Sequence, residues 1–108
     1  MTADTFDDFV ADYDARMAAA VAALDSRWAI RGFKGHETMN GYAYVFTLLD
    51  GRKPVAHVEE QGNGGAPMLY WEDRRGASAL AFEAEGQRLF PGYWQDMMVD
   101  AILRKAGK

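Results

Sequence analysis

Between residues 28 and 73 the chain runs in short apolar and polar alternations broken by turn formers, and this pattern limits the fold more than any other feature. Tyr42, Tyr44, Phe46 and Leu48 would point one way from an extended strand, and Ala43, Val45, Thr47 and Leu49 the other. Both sets are apolar, so this strand is expected to be central and covered on much of both faces. Asp50-Gly51 follows it, a hairpin signal that predicts a type I′ turn with positive φ at both central residues. Val55, His57 and Glu59 then alternate with Ala56 and Val58, while Pro54, which has no N–H for a ladder, belongs near the strand start or on an edge. The run 61–67, rich in glycine and closed by Pro67, reads as a tight loop, and 68–72 as a fourth strand. Residues 28–33 alternate weakly around Gly32 and supply the first.

Helices flank this sheet. Phe6, Phe9, Val10, Tyr13, Met17, Ala20, Val21 and Leu24 recur at spacings of three and four, the stripe of an amphipathic helix. Asp4, Asp7 and Asp8 lie in or near its first turn, where carboxylates favour the dipole, and Thr2 or Thr5 is expected to cap it. After Asp73, an expected N-cap, a second stripe runs through Ala79, Phe82, Gly86, Leu89 and Phe90 until Pro91-Gly92 breaks it. A last stripe, Trp94, Met97, Met98, Ala101 and Ile102, ends in Arg104 and Lys105. The pattern predicts one α+β domain over residues 1–108: a small antiparallel four-stranded β-meander with an N-terminal helix and two C-terminal helices on one face.

With 108 residues the chain can bury a core of its own, and with no cysteine it excludes disulfides, thiolate metal sites and cysteine nucleophiles. The acidic N-terminus lacks the basic start and apolar run of a signal peptide, and no stretch approaches the ~20 apolar residues of a membrane span, so a cytoplasmic protein is expected. Charge is unevenly placed. Residues 1–25 carry a net −5, residues 26–58 a net +3, and the remainder −2. Such asymmetry bears on partners rather than on fold.

Three groups of residues stand out together: Lys34-Gly35-His36-Glu37; Asp50-Gly51-Arg52-Lys53 with Val55-Ala56-His57-Val58-Glu59; and Gly62-Asn63-Gly64-Gly65. This arrangement resembles short proteins encoded by bacteriophages and prophages, and the tail Asp96-Met97-Met98-Val99-Asp100 is similar to their terminal helix. No activity or catalytic residue is established for that group, so the resemblance implies a mobile-element origin and no chemistry.

Several clusters invite chemical readings. His36-Glu37 is reminiscent of a metal hydrolase, but a zincin helix needs a second histidine four residues on, where this chain has Asn40 in what reads as loop. His36, Glu37, His57 and Glu59 would supply enough ligands for zinc, without diagnostic spacing. The simpler expectation has His36 bonding nearby backbone, His57 half-buried on its strand, and no metal or cofactor bound. Gly62, Asn63, Gly64 and Gly65 could present backbone N–H groups to an anion, yet the Lys-Ser/Thr ending of a P-loop is missing, and positive φ in a turn explains the glycines. Aromatic residues on a sheet beside Arg31, Lys34, Arg52 and Lys53 raise single-stranded nucleic acid. A pI near 5 and sequential strands weigh against it, and Tyr42, Tyr44, Phe46 and Trp71 are expected in the core. Ser26 and Ser78 have no nucleophile elbow, and the acid pairs Glu59-Glu60 and Glu72-Asp73 point to opposite faces of their strands.

The reading that remains is not an enzyme. It is a small phage-type protein that binds and inhibits a host protein, such as a nucleic-acid-handling defence complex of the kind blocked by anti-CRISPR proteins. Asp7, Asp8, Asp12 and Asp14 on the first helix would meet a basic surface of that partner. No membrane or direct nucleic-acid contact is expected, a homodimer is compatible, and a small-ligand site on the His36–Gly65 surface is the alternative.

Overall fold

A computed structural model describes residues 5–63, 65–92 and 94–108. Its elements run α1 (Thr5–Ala23), β1 (Trp28–Thr38), β2 (Gly41–Asp50), β3 (Lys53–Gln61), β4 (Met68–Trp71), α2 (Ala77–Leu89) and α3 (Trp94–Lys105). The four strands form one antiparallel meander in the order β1-β2-β3-β4. The α+β fold and its element order are those expected.

Register follows from the turns. Asp50 pairs with Lys53, which leaves Gly51 and Arg52 as the central residues of the β2–β3 turn. Only Gly51 has positive φ (65°), so the turn carries the glycine-first pattern of type II′ rather than type I′. The reason is local: Arg52 bears a Cβ and keeps out of the left-handed region. Two bulges bend the sheet. One extra residue in β1, around Gly32 (φ 70°), sits between the pairs Arg31–Thr47 and Lys34–Val45, and Val55 is extra in β3 beside Pro54.

Strand β1 is longer than the pattern suggested. It continues through Lys34-Gly35-His36-Glu37 to Thr38, so His36 and Glu37 lie on a strand and not in a loop. Gly35 is a weak strand former, but the Tyr42 ring lies over it so closely that a Cβ there would come 2.6 Å from the phenol oxygen. An aromatic side chain laid across a glycine on the neighbouring strand covers the backbone that the glycine leaves bare.

One face of the sheet carries the core. Phe46 and Leu48 of β2 and Ala56 and Val58 of β3 are buried with Trp28, Phe82, Met98, Val99 and Ile102. Helix α3 is central: α2 and α1 both pack on it, and it packs on β1. Thus α1 rests mainly on α3 rather than on the sheet. At 19 residues against 12, α1 is about 28 Å long and α3 about 18 Å, so α1 outruns its support. Met17, Ala20 and Leu24 are buried, whereas Phe9 is 67% exposed, and the expected stripe is only half used. The overhang and the projecting β1–β2 tip explain a radius of gyration of 14.7 Å, where a compact domain of this length would have about 13 Å.

Tyr42 also departs from expectation. It sits beyond the helices and is exposed, while Tyr44 is half-buried beside Phe33 and Phe46. Burial, followed by the nearby carboxylates of Glu60, Asp100 and Asp96, pushes the Tyr44 phenol up to about 12. Asp73 does not cap α2. The cap is Gly76, and Asp73 instead accepts the Arg75 N–H within the intervening turn. Thr2 and Asp4 lie outside the described residues, and among those residues no helix is long and apolar enough to cross a membrane.

A polar staple fastens the start of β1: Arg27 donates through Nε and Nη2 to both oxygens of Asp50 (2.9 and 2.7 Å), and the Ser78 hydroxyl adds a third bond at 2.6 Å. The Arg27 bonds, helped by Ser78 and opposed by burial, hold the Asp50 carboxyl below its ordinary range. A depressed folded pKa means stabilisation present above the unfolded value of ~3.9 and lost as pH falls through the folded one. Asp50→Asn should therefore cost about 1–2 kcal/mol near neutrality. Urea titrations across the acid range should show stability falling less steeply for Asp50→Asn than for the unmodified chain; parallel curves would refute the linkage.

Candidate functional surfaces

Among the described residues no helix covers the second face of the sheet. By register, Lys34, Val45 and Glu59 form one row across β1, β2 and β3 on this face, Arg31, Thr47, His57 and Tyr70 another, and His36, Ala43 and Gln61 a third. A shallow dish of about 420 Å³ lies over Ala43 and Val45, bordered by Lys34, His36, Glu59 and Gln61. Val45, Thr47 and Leu49 are half-buried at the surface and not covered from above, contrary to the expectation for a strand apolar on both sides. Helices on one side suffice to close the core, so the second apolar set stays at the surface.

The four residues that could supply zinc ligands are not gathered. His36 and Glu37 are consecutive on β1 and point to opposite faces. His57 and Glu59 share the open face with Nε2 and Oε1 3.3 Å apart, and the His57 side chain is 51% exposed. Among the described residues no three His, Cys, Asp or Glu side chains come together as a metal ion requires. The glycine loop is similarly occupied. Gly62 donates its N–H to Glu60 (2.7 Å), Gly65 donates to Asn63 Oδ1 (3.2 Å), and the Thr38 hydroxyl bonds the Gly62 carbonyl. Gly62 alone takes positive φ (80°) among the described loop residues; Gly64 lies outside them. N–H groups already turned inward are poor anion donors.

A larger concavity lies on the other side of the molecule. The overhanging ridge of α1 and the segment joining α2 to α3 enclose a groove of about 800 Å³. Phe9 and Tyr13 form one wall, and Leu89, Phe90, Pro91 and Met97 the other. Its lining is mostly apolar, with Arg16 and Arg88 at the rim.

The acidic residues of α1 divide around this groove. Asp8 and Asp12 are exposed, four residues apart, on the ridge beside Phe9 and Tyr13. Asp12 is paired with Arg16 at 3.2 Å. Asp14 points to the α3 side, 3.9 Å from Arg104, and the backbone of Asp7 is helical while its side chain lies outside the description. The Tyr13 hydroxyl donates to Asp100 Oδ2 at 3.2 Å, which fixes the ring at the groove wall; burial first, then Asp100, raises its pKa.

The groove was not foreseen from sequence. Its signal was present in a stripe longer than the helix that covers it: two apolar residues, Phe9 and Val10, were in excess of what a 12-residue α3 can bury. No family model matches the chain, and neither a curated protein nor a solved structure was found to be similar to it.

Proposed function

We propose that this chain is a small phage- or prophage-type protein that acts in the host cytoplasm by binding and inhibiting a host protein, a nucleic-acid-handling defence complex of the anti-CRISPR target kind. The observation that carries the binding reading is the groove along α1, whose apolar walls are left open by the other described residues. Asp8 and Asp12 run beside it, and residues 5–16 hold four acids against one base, Arg16. The occupant that fits is a protein segment with apolar anchors flanked by lysine or arginine, as on a surface that ordinarily holds nucleic acid. The mobile-element part of the reading rests on the resemblance alone. The alternative, a small ligand at the His36–Gly65 surface, draws less support because the Gly62 and Gly65 N–H groups are engaged within the loop.

The test is functional and then local. Expression of the chain should restore plating of a phage that the host's defence system excludes, and a defence component should co-purify with it in a salt-sensitive way. Reversing Asp8, Asp12 and Asp14 to lysine should weaken that capture by roughly 100-fold. Unchanged capture would sink the α1 docking mode, and failure to restore plating would sink the anti-defence role.

A further inference from the structure

We infer that the open face of the sheet is a homodimer interface, in which two copies pack sheet to sheet about a two-fold axis along β2 and Lys34 of each sits over Glu59 of the other. The inference starts from the row Lys34–Val45–Glu59. It places a cation at one end, an aliphatic side chain in the middle and an anion at the other end, across three adjacent strands. Within one copy the two charged residues stand two strand spacings apart, about 10 Å, and they make no ion pair with each other. A two-fold axis along β2, lying between the sheets, exchanges the β1 and β3 sides while keeping position along the strand. Lys34 then falls over Glu59 of the second copy, twice by symmetry, and Val45 meets Val45 at the axis.

Charge selects this arrangement over the other ways of facing the sheets. An axis across the strands would stack β1 on β1 and set Arg31 and Lys34 against their own counterparts. The axis along β2 instead brings Arg31 over His57 of the second copy, in the same row, with Tyr70 one strand further out and about half exposed; the two rings lie 6.0 Å apart. The long Arg31 side chain can cross that one strand spacing to a favourable contact with the phenol ring. Sheets packed face to face sit ~10 Å apart and cross at about 30°, an offset that the four-carbon stem of Lys34 can span. The dish over Ala43 and Val45 receives that stem on its way to Glu59. Three overlapping strands bury about 500 Å² per copy, on the order of 1,000 Å² in all, the lower limit for a specific interface. The dimer is accordingly weak and forms at micromolar concentration.

Sedimentation equilibrium over a concentration series tests this directly. The unmodified chain should show a reversible monomer–dimer equilibrium. Lys34→Glu and Glu59→Lys should each weaken it by roughly tenfold or more, since each makes both pairs repulsive. The double variant K34E/E59K should return it to within about threefold of the original, because the row is restored with its signs exchanged. Residues 34 and 59 contribute nothing to the core, so unchanged circular dichroism will show that each variant is folded. A chain that stays monomeric throughout overturns the proposal. So does a dimer that ignores both single variants, or one that the double variant fails to recover. None of these outcomes depends on the α1 groove, so the two surfaces stand or fall separately.

Discussion

Replacing Phe82 with alanine is expected to remove about 4 kcal/mol of stability, the middle of the range for truncating a fully buried phenylalanine. Phe82 is 0% exposed and lies where α2 meets the sheet. Every tryptophan of the chain touches it: Trp28 at 5.2 Å, Trp71 at 5.3 Å and Trp94 at 5.7 Å between centroids, each edge-on. These come from β1, β4 and α3, so a single ring ties together both ends of the sheet and two helices. Edge-to-face pairs of this kind contribute about 0.5–1.5 kcal/mol each beyond area burial. The neighbours cannot collapse into the space, since Trp94 is already pressed against Gly86, where a Cβ would come within 2.5 Å of it. Domains of this size have about 5–15 kcal/mol to lose, so the variant should remain folded in water and unfold at much lower urea. Tryptophan emission is the natural probe, because the ring removed is the common neighbour of all three indoles. Phe82→Leu should cost less than about 2 kcal/mol by keeping most of the volume. A loss below that figure for the alanine variant would mean that Phe82 is not the centre of the core.

How much of this was legible beforehand depended on whether burial imposed a pattern. The β2–β3 hairpin was, because Asp50-Gly51 marks its turn and Phe46, Leu48, Ala56 and Val58 must all face the helices; the bulge at Val55, which shifts the register set by the turn so that those four share a face, was not. The extension of β1 through His36 and Glu37 was not. There the strand projects past the helices with both faces wet, so no alternation is selected, and Gly35 reads as a breaker unless Tyr42 is known to cover it. The periodicity of α1 announced a helix correctly but not what lies under it, since a stripe records apolar residues whether the chain itself or a partner covers them. That ambiguity hid the groove. The acids were singled out as a dispersed set, whereas the structure assigns Asp8 and Asp12 to the groove side and Asp14 to the α3 side. His57 and Glu59, which the sequence offers as metal ligands only on the less simple reading, lie together on the open face, where the row through Lys34 gives Glu59 a different use.

Glu85 went unnoticed among the helical acids, although its place in the stripe three residues after Phe82 marks it as a charge on a buried face. It is 9% exposed, and both its oxygens are used. Oε1 accepts the indole N–H of Trp28 at 2.8 Å, and Oε2 accepts the Asp25 backbone N–H at 2.7 Å. Arg88 stands 3.9 Å away and offsets the charge only in part. Buried indole N–H groups need an acceptor, and the turn between α1 and β1 has no backbone ladder to supply one for Asp25. Glu85→Ala would strand two donors at once, at about 1–3 kcal/mol for each unsatisfied group. The expected loss is about 3 kcal/mol in urea unfolding, together with faster hydrogen exchange at the Asp25 amide as the α1–β1 joint loosens. Glu85→Gln should fall between the two, because its one oxygen can serve only one donor while its NH₂ faces the other. Trp28→Phe removes the first donor, so the loss caused by Glu85→Ala should shrink by about 1–2 kcal/mol in that background. Full additivity in the cycle would mean that packing alone seats Trp28, and that the carboxylate holds only the chain turn at Asp25.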